Sequence, residues 1–483
     1  MLERTISLLS MARTYRALLV LNLLVSTAIV YGFGFNGGGD FHTYHGLAMG
    51  ILHGEYSYWY PLSVEIPDTF RTPGYPLYVA AVIKLFGGWE AMLFIQFGMY
   101  VVAVMLMLRI LDRWGAGILG KNIALLLLLV SINIPYYIGT MLPETPVMLA
   151  LTTIFWVRSK PVRTWWDALA VGALFGFMFQ CRPIVLLLPF CLLIADAIRY
   201  RMRLQWAKEI LAIVVFVATL VPYGLWNFDH HGVFKVTPLE GGGGVMHIGW
   251  WAGRIPGYQE HRYWGNFAGD EIIDFVPQAD RAKEIAAFNA EWDRIDAQLA
   301  HLLTAKDTLM LDSLGKIGFV CRTWNSRYTL ERERLLKEAV FRNAAEHPWY
   351  TLAFKSYSAV RLWVIGIQKA DFLEAGTKGK LSMLYPTLMT GSIFLLSVIV
   401  VPLALRRGRV LMAEVYPVVL LVLYYTAIHL PFALQARYTT STRLLLYALV
   451  ALSLVRLLDN GRASAEKAGP RPVSGGTEPP ARS

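Results

Sequence analysis

Two carboxylates and a few arginines stand where a membrane-embedded chain has little packing use for charge. Asp40 closes the run Gly37-Gly38-Gly39-Asp40, directly after the first membrane-length apolar segment, and Phe41-His42-Thr43-Tyr44-His45 follows it. An ionisable group at the lip of a membrane helix reads as chemistry by default, although Asp also favours helix-capping positions. Glu144 lies between Pro143 and Thr145-Pro146, where a carboxylate can start a helix or assist a reaction. Arg71 can grip a phosphate bidentately or pair with Asp68. Arg182 follows Gln180-Cys181 at a turn, as a phosphate ligand or as a side chain snorkelling to headgroups. Arg437 and Arg443 bracket Tyr438 at the start of the last apolar run, where Arg and Tyr also serve as plain interfacial anchors.

The elements that must position these groups follow from composition. With 55% hydrophobic and 16% charged residues in 483, and a mean hydropathy of +0.45, the chain is read as an all-α polytopic membrane protein. Apolar segments near 17–35, 89–110, 122–139, 142–157, 165–181, 183–198, 210–228, 383–404, 411–430 and 443–458 predict about ten crossings. The first run is long for a signal-peptide core and lacks a small-residue cleavage site, so it is expected to stay as a helix. With the N-terminus inside, Arg113, Lys121, Arg158, Lys160, Arg163, Arg199, Arg201, Arg203, Lys208, Arg406, Arg407 and Arg409 all fall on the inner face. That is the distribution the positive-inside rule requires, and it accounts for the net charge of +11 without nucleic acid. It places the multi-pass chain in an inner or plasma membrane, with residues 36–88, the tip at Glu144, the turn at Arg182, residues 229–382 and the loop around Arg437 outside.

Four regions result: an N-terminal membrane module over 1–228 with its site loop at 36–88, an extracytoplasmic helical region over 229–382, C-terminal membrane helices over 383–460, and a disordered cytoplasmic tail over 461–483. Residues 349–368 are expected to lie in the interface, because Lys355, Ser356, Ser358 and Arg361 interrupt them. Pro76 to Phe86 is too short to span and belongs at the outer surface. In the outer region Ile285, Phe288, Trp292, Ile295, Leu299 and Leu302 recur at helical spacing, predicting an amphipathic helix packed on something apolar. Gly241-Gly242-Gly243-Gly244 reads as a flexible loop, a lid hinge or an anion-binding nest. Cys181, Cys191 and Cys321 show no pairing or metal spacing, and no disulfide framework is assigned.

The order Asp40, Tyr44, Gly54, Tyr56, then Phe70-Arg71-Thr72-Pro73-Gly74-Tyr75-Pro76-Leu77, resembles the GT-C superfamily of integral membrane glycosyltransferases. The likeness is to the protein-mannosyltransferase-like and aminoarabinose-transferase-like branch. It extends through Leu142-Pro143-Glu144-Thr145, Cys181-Arg182-Pro183, Glu346-His347-Pro348 to Arg361-Leu362-Trp363, and Gln435-Ala436-Arg437-Tyr438. The resemblance implies inverting transfer of a sugar from a polyprenyl-phosphate donor to a lipid, glycan or protein acceptor on the extracytoplasmic face, in envelope glycan or lipid modification. In those terms Asp40 is the base and Glu144 a second catalytic acid that orients the acceptor or a metal. Arg71, Arg182, Arg437 and Tyr438 take the donor or lipid phosphate, and Tyr44, Tyr56 and His247 contact the acceptor or sugar.

Some members of that family hold a divalent metal through acidic and His residues. Here His42, His45, His53, His247 and His261 form no ligand pair at helical spacing, so no metal ligands and no cofactor are assigned. Tyr58, Trp59 and Tyr60 crowd the site loop and could stack on a sugar. Two other readings share the architecture: a transporter or flippase of lipid-linked sugars, and a ligase or polymerase of preformed lipid-linked oligosaccharides. A transporter is expected to carry ionisable groups near the membrane midplane; Asp167 is the one carboxylate that could sit inside a crossing.

Overall fold

The structure, a computed structural model, describes residues 2–35, 40–57, 66–140, 142–200, 205–255, 277–305, 307, 325–367, 369–408, 410 and 412–467. Gly37 to Gly39, Tyr58, Trp59, Tyr60, His261, Cys321 and the tail from 468 lie outside these residues. Every regular element described is helical: α1 (Leu2–Leu9), α2 (Ala12–Phe33), α3 (Phe41–Leu52), α4 (Gly74–Phe86), α5 (Ala91–Arg113), α6 (Gly117–Val130), α7 (Asn133–Ile138), α8 (Glu144–Arg158), α9 (Trp165–Cys181) and α10 (Leu188–Tyr200). After these come α11 (Trp206–His231), α12 (Gly243–Trp251), α13 (Arg281–Leu299), α14 (Ser326–Glu346), α15 (Pro348–Arg361), α16 (Lys369–Glu374), α17 (Thr377–Arg406), α18 (Met412–His429) and α19 (Arg443–Lys467).

Among the described residues, five segments are long and apolar enough to cross a membrane: 12–33, 91–113, 206–231, 377–406 and 436–458. Five shorter apolar segments accompany them, at 74–86, 117–130, 165–181, 183–198 and 415–429. The expected run 122–139 is two helices, because Pro135 has no N–H to donate and its ring clashes with the carbonyl four residues back, at Ser131, where the chain turns. Helix α19 is the axis of the bundle. Leu444 to Leu452 are buried without a gap, the mark of a helix apolar on all sides and enclosed by others. By contrast α2 exposes Val20, Leu21, Leu23 and Leu24, a surface suited to lipid.

Among the described residues, the basic groups near 113–121, 158–163 and 208 meet at one end with Arg456. Arg113 donates to the Trp156 carbonyl at 2.5 Å, Lys121 pairs with Asp112 at 2.5 Å, and Arg456 donates to the Trp114 carbonyl at 3.1 Å. Arg158 pairs with Asp196 and lies 3.6 Å from Glu209, which also takes Arg163. Asp167 is in this set rather than inside a crossing. It completes a capping box with Thr164 at the start of α9 and pairs with Lys160 at 2.5 Å.

Helices α12, α13, α14 and α15 form a separate helical layer with its own core. The amphipathic α13 buries Phe288, Trp292, Ile295 and Leu299 there, with Ile285 and Leu302 packed at the margin. Helix α15 gives this core Phe354 and leaves Trp349 and Leu352 exposed. The four-glycine run starts α12: Gly243 and Gly244 donate their N–H groups to the Glu333 carboxylate, the second at 3.2 Å. The nest is therefore filled from within the chain.

Candidate functional site

The end of α8 opposite Arg158 gathers the residues singled out by type. A helix of 15 residues separates the two ends by about 22 Å. Asp40 occupies the position before α3, yet its side chain makes no capping hydrogen bond. Instead Oδ1 accepts from Arg71 Nη2 at 2.5 Å and Oδ2 from Arg437 Nη2 at 2.7 Å. Burial alone raises the pKa of this carboxyl; the Arg71 and Arg437 charges overcome that and hold it well below the usual carboxylate range.

Arg71 is aimed by its own loop. Asp68 spends its carboxylate on the backbone N–H groups of Phe70 and Arg71, at 3.1 and 2.6 Å, and so does not take the guanidinium. Burial pushes Asp68 up to about 6, against those two backbone bonds. The Arg71 carbonyl accepts from Tyr56 and from Tyr223, each at 3.0 Å. Its guanidinium lies 4.9 Å from the Tyr44 ring centroid and 4.4 Å from that of Phe70.

Glu144, 1% exposed, opens α8 and pairs through Oε1 with Arg182, the residue that ends α9. Arg182 therefore turns inward rather than towards headgroups. Its guanidinium sits 5.0 Å from the Tyr438 ring centroid, and Tyr438 stacks on His429 at 5.4 Å. Arg443 points elsewhere, donating to the Trp363 carbonyl at 3.0 Å. Asp40, Glu144, Arg71, Arg182, Arg437 and Tyr438 thus form one cluster drawn from five places in the chain.

Three guanidiniums face two carboxylates, which leaves one positive charge unmatched. The Nε groups of Arg71, Arg182 and Arg437 are buried without a hydrogen-bond partner, as is Glu144 Oε2. Such atoms occur elsewhere in the bundle too, Arg158 Nε among them, but here four lie together, so the cluster holds donors for an anion and an acceptor for a proton-bearing group. Among the described residues no group of three His, Cys, Asp or Glu could hold a metal ion. Both carboxylates are engaged by arginine, and three guanidiniums repel a dication, so the donor set does not fit one.

Three expected contacts are placed differently. Tyr44 is buried against Tyr75, with ring centroids at 4.8 Å, and Tyr56 is tied to the Arg71 carbonyl. Both support Arg71 from behind: Tyr44 is buried with the Arg71 guanidinium over its ring, and half-buried Tyr56 spends its hydroxyl on the Arg71 carbonyl. His247 is fully buried in the separate layer, where its Nε2 meets Glu291 at 2.6 Å beside Phe288 and Trp292. Its ring is consumed by that core rather than presented to Asp40. Sequence reasoning passed over Tyr223 and His429, which sit in apolar runs without any local signal.

No family model matches the chain, and no curated protein matches it. Among solved structures it is similar to the crystal structure of ArnT from Cupriavidus metallidurans bound to undecaprenyl phosphate, at a TM-score of 0.38 and 12% identity, over 96% of this chain and 82% of that one. A likeness that loose carries no argument about activity, which must come from the cluster itself.

Proposed function

We propose that the chain is a membrane glycosyltransferase that moves a sugar from a polyprenyl-phosphate donor to an acceptor on the extracytoplasmic side of a bacterial inner or plasma membrane. The single observation that carries this reading is the convergence of three guanidiniums with unpartnered Nε groups on two carboxylates, at the end of the bundle opposite the basic loops. A phosphodiester donor brings one negative charge, which matches the one positive charge left over. Nucleotide sugars belong to the other face, and a lipid-linked donor reaches this one.

In this reading Arg71, Arg182 and Arg437 bind the phosphate, and Glu144 Oε2 accepts a hydrogen bond from the acceptor and orients it. The acceptor oxygen attacks the anomeric carbon from the side opposite the phosphate. The bond to the phosphate oxygen breaks with its electron pair on that oxygen, and the acceptor proton passes to Asp40. The guanidiniums take up the charge that develops on the leaving group.

Asp40 is a poor base while two arginines hold it. Donor phosphate competes for Arg71 and Arg437, so binding the donor draws them away and restores basicity to the carboxylate. The base is thereby active only when there is a leaving group to balance it.

The test is transfer of radiolabelled sugar from a panel of synthetic polyprenyl-phosphate sugars to membrane acceptors, with purified wild type beside Asp40→Asn. Label is expected to move with wild type and to fall by about a hundredfold or more with the variant. Equal rates from both, each protein folded and inserted, would remove Asp40 from the chemistry. Movement of intact donor across sealed vesicles without covalent change would instead favour a flippase.

A further inference from the structure

His429 ends α18 beside the cluster, and the mechanism above makes no use of it. Its Nδ1 lies 2.7 Å from the Tyr425 carbonyl oxygen, one helical turn back. A carbonyl can only accept, so Nδ1 carries the proton and Nε2 of the neutral ring keeps its lone pair. The residue is 2% exposed. Its ring stacks on Tyr438 at 5.4 Å and 25°, and Tyr438 in turn carries the Arg182 guanidinium. The Nδ1 contact is the hydrogen bond of this ring among the described residues, and Nε2 takes none there. With Nδ1 tied to its own helix, Nε2 occupies the opposite edge of the ring, away from the α18 backbone.

Such an acceptor, one ring away from the Arg182 guanidinium, does not recognise phosphate, which has no proton to offer it. It fits the hydroxyl of a sugar or an acceptor. We propose that His429 Nε2 accepts a hydrogen bond from a substrate hydroxyl held next to the phosphate cradle, and so helps to select the sugar or acceptor that is taken. The inference rests on the transferase reading given above.

Two conservative substitutions separate this role from a structural one. The amide of Asn reaches the place of Nδ1 and can keep the bond to Tyr425; that of Gln reaches the place of Nε2 and can keep an acceptor there. His429→Asn is expected to lower kcat/KM about tenfold or more, His429→Gln to retain most of it, and His429→Phe to resemble Asn while preserving the stacking on Tyr438. Thermal melting in detergent of all three reports the fold. Donors that each lack one hydroxyl identify the partner: for the correct analogue the ratio of wild type to Asn variant collapses to one, and if none collapses the hydroxyl is on the acceptor. Rescue by Asn and loss with Gln would make His429 a helix-end tie, and three unimpaired variants would remove it from recognition altogether. A wild type that transfers nothing defeats the transferase reading and this inference with it; a wild type that transfers with all variants equal defeats this inference alone.

Discussion

Glu144 and Arg182 show how a buried pair constrains mutation. Glu144 is almost fully enclosed and Arg182 is the partner hydrogen-bonded to it, so removing Arg182 leaves that carboxylate only the more distant Arg437 charge, at a cost of up to roughly 3–5 kcal/mol. Arg182→Gln is therefore expected to lower the melting temperature in detergent more than Glu144→Gln. The double variant should recover part of the loss, because neither charge remains. A double variant that melts where the sum of the two singles puts it would mean that the two side chains act independently. The types of these residues were legible in the sequence because charge near membrane helices needs a reason. Their pairing was not: Asp40 and Arg437 are 397 positions apart, and only the packing of α19 among the other helices joins them. His429 was illegible for the opposite reason, since a single histidine closing an apolar run looks like filler until its ring nitrogens can be followed one by one.

Among elements, the approach of α4 to α9 decides whether Arg71 and Arg182 share a site. Gly74 is the first residue of α4, and a Cβ placed there would lie 2.6–2.8 Å from the Cβ, carbonyl carbon and carbonyl oxygen of Gln180. Backbone cannot yield as a flexible side chain does, so a methyl at 74 must push the two helix ends apart. Gly74→Ala is expected to reduce sugar transfer at least tenfold by moving Arg71, while the bundle itself still folds. Transfer at the wild-type rate by Gly74→Ala would show that the two ends tolerate separation. The run Arg71-Thr72-Pro73-Gly74-Tyr75-Pro76 stands out in the sequence as a motif, but a contact with position 180 has no trace in local spacing. Periodicity did foretell α13, whose apolar stripe needs only the 3.6-residue repeat to be visible. It failed at 122–139, where hydropathy continues through a break that Pro135 and Ser131 impose.

On the scale of the whole molecule, the layer built from α12 to α15 rests on a polar core that is sensitive to acid. His247 of α12 is enclosed, with Nδ1 unpartnered and Nε2 on Glu291 of α13. Trp251 at 3.3 Å and, from α14, Arg342 at 2.6 Å and Asn343 at 3.1 Å also reach Glu291. Burial lowers the pKa of His247 below 6.5; Glu291 and its hydrogen bond oppose that shift, whereas Arg332 and Arg342 add to it. Glu291 is held at about 2, the burial that would raise it being outweighed by His247, Asn343 and Trp251. For the histidine the unfolded chain binds the extra proton, so stability is complete above about 6.5 and declines as pH falls. For Glu291 the loss comes lower, between 4.5 and about 2, and in the same direction. Limited proteolysis of the detergent-solubilised protein is therefore expected to cut within 243–361 faster at pH 5 than at pH 7.5. His247→Gln, which can keep a donor to Glu291 but cannot take up a proton, should flatten that difference. An equal acid response in wild type and variant would transfer the effect to another group. Because Glu240 backbone N–H bonds to the Thr69 carbonyl at 3.0 Å, just before Arg71, loosening of the layer should also lower transfer at pH 5 in wild type and less so in His247→Gln.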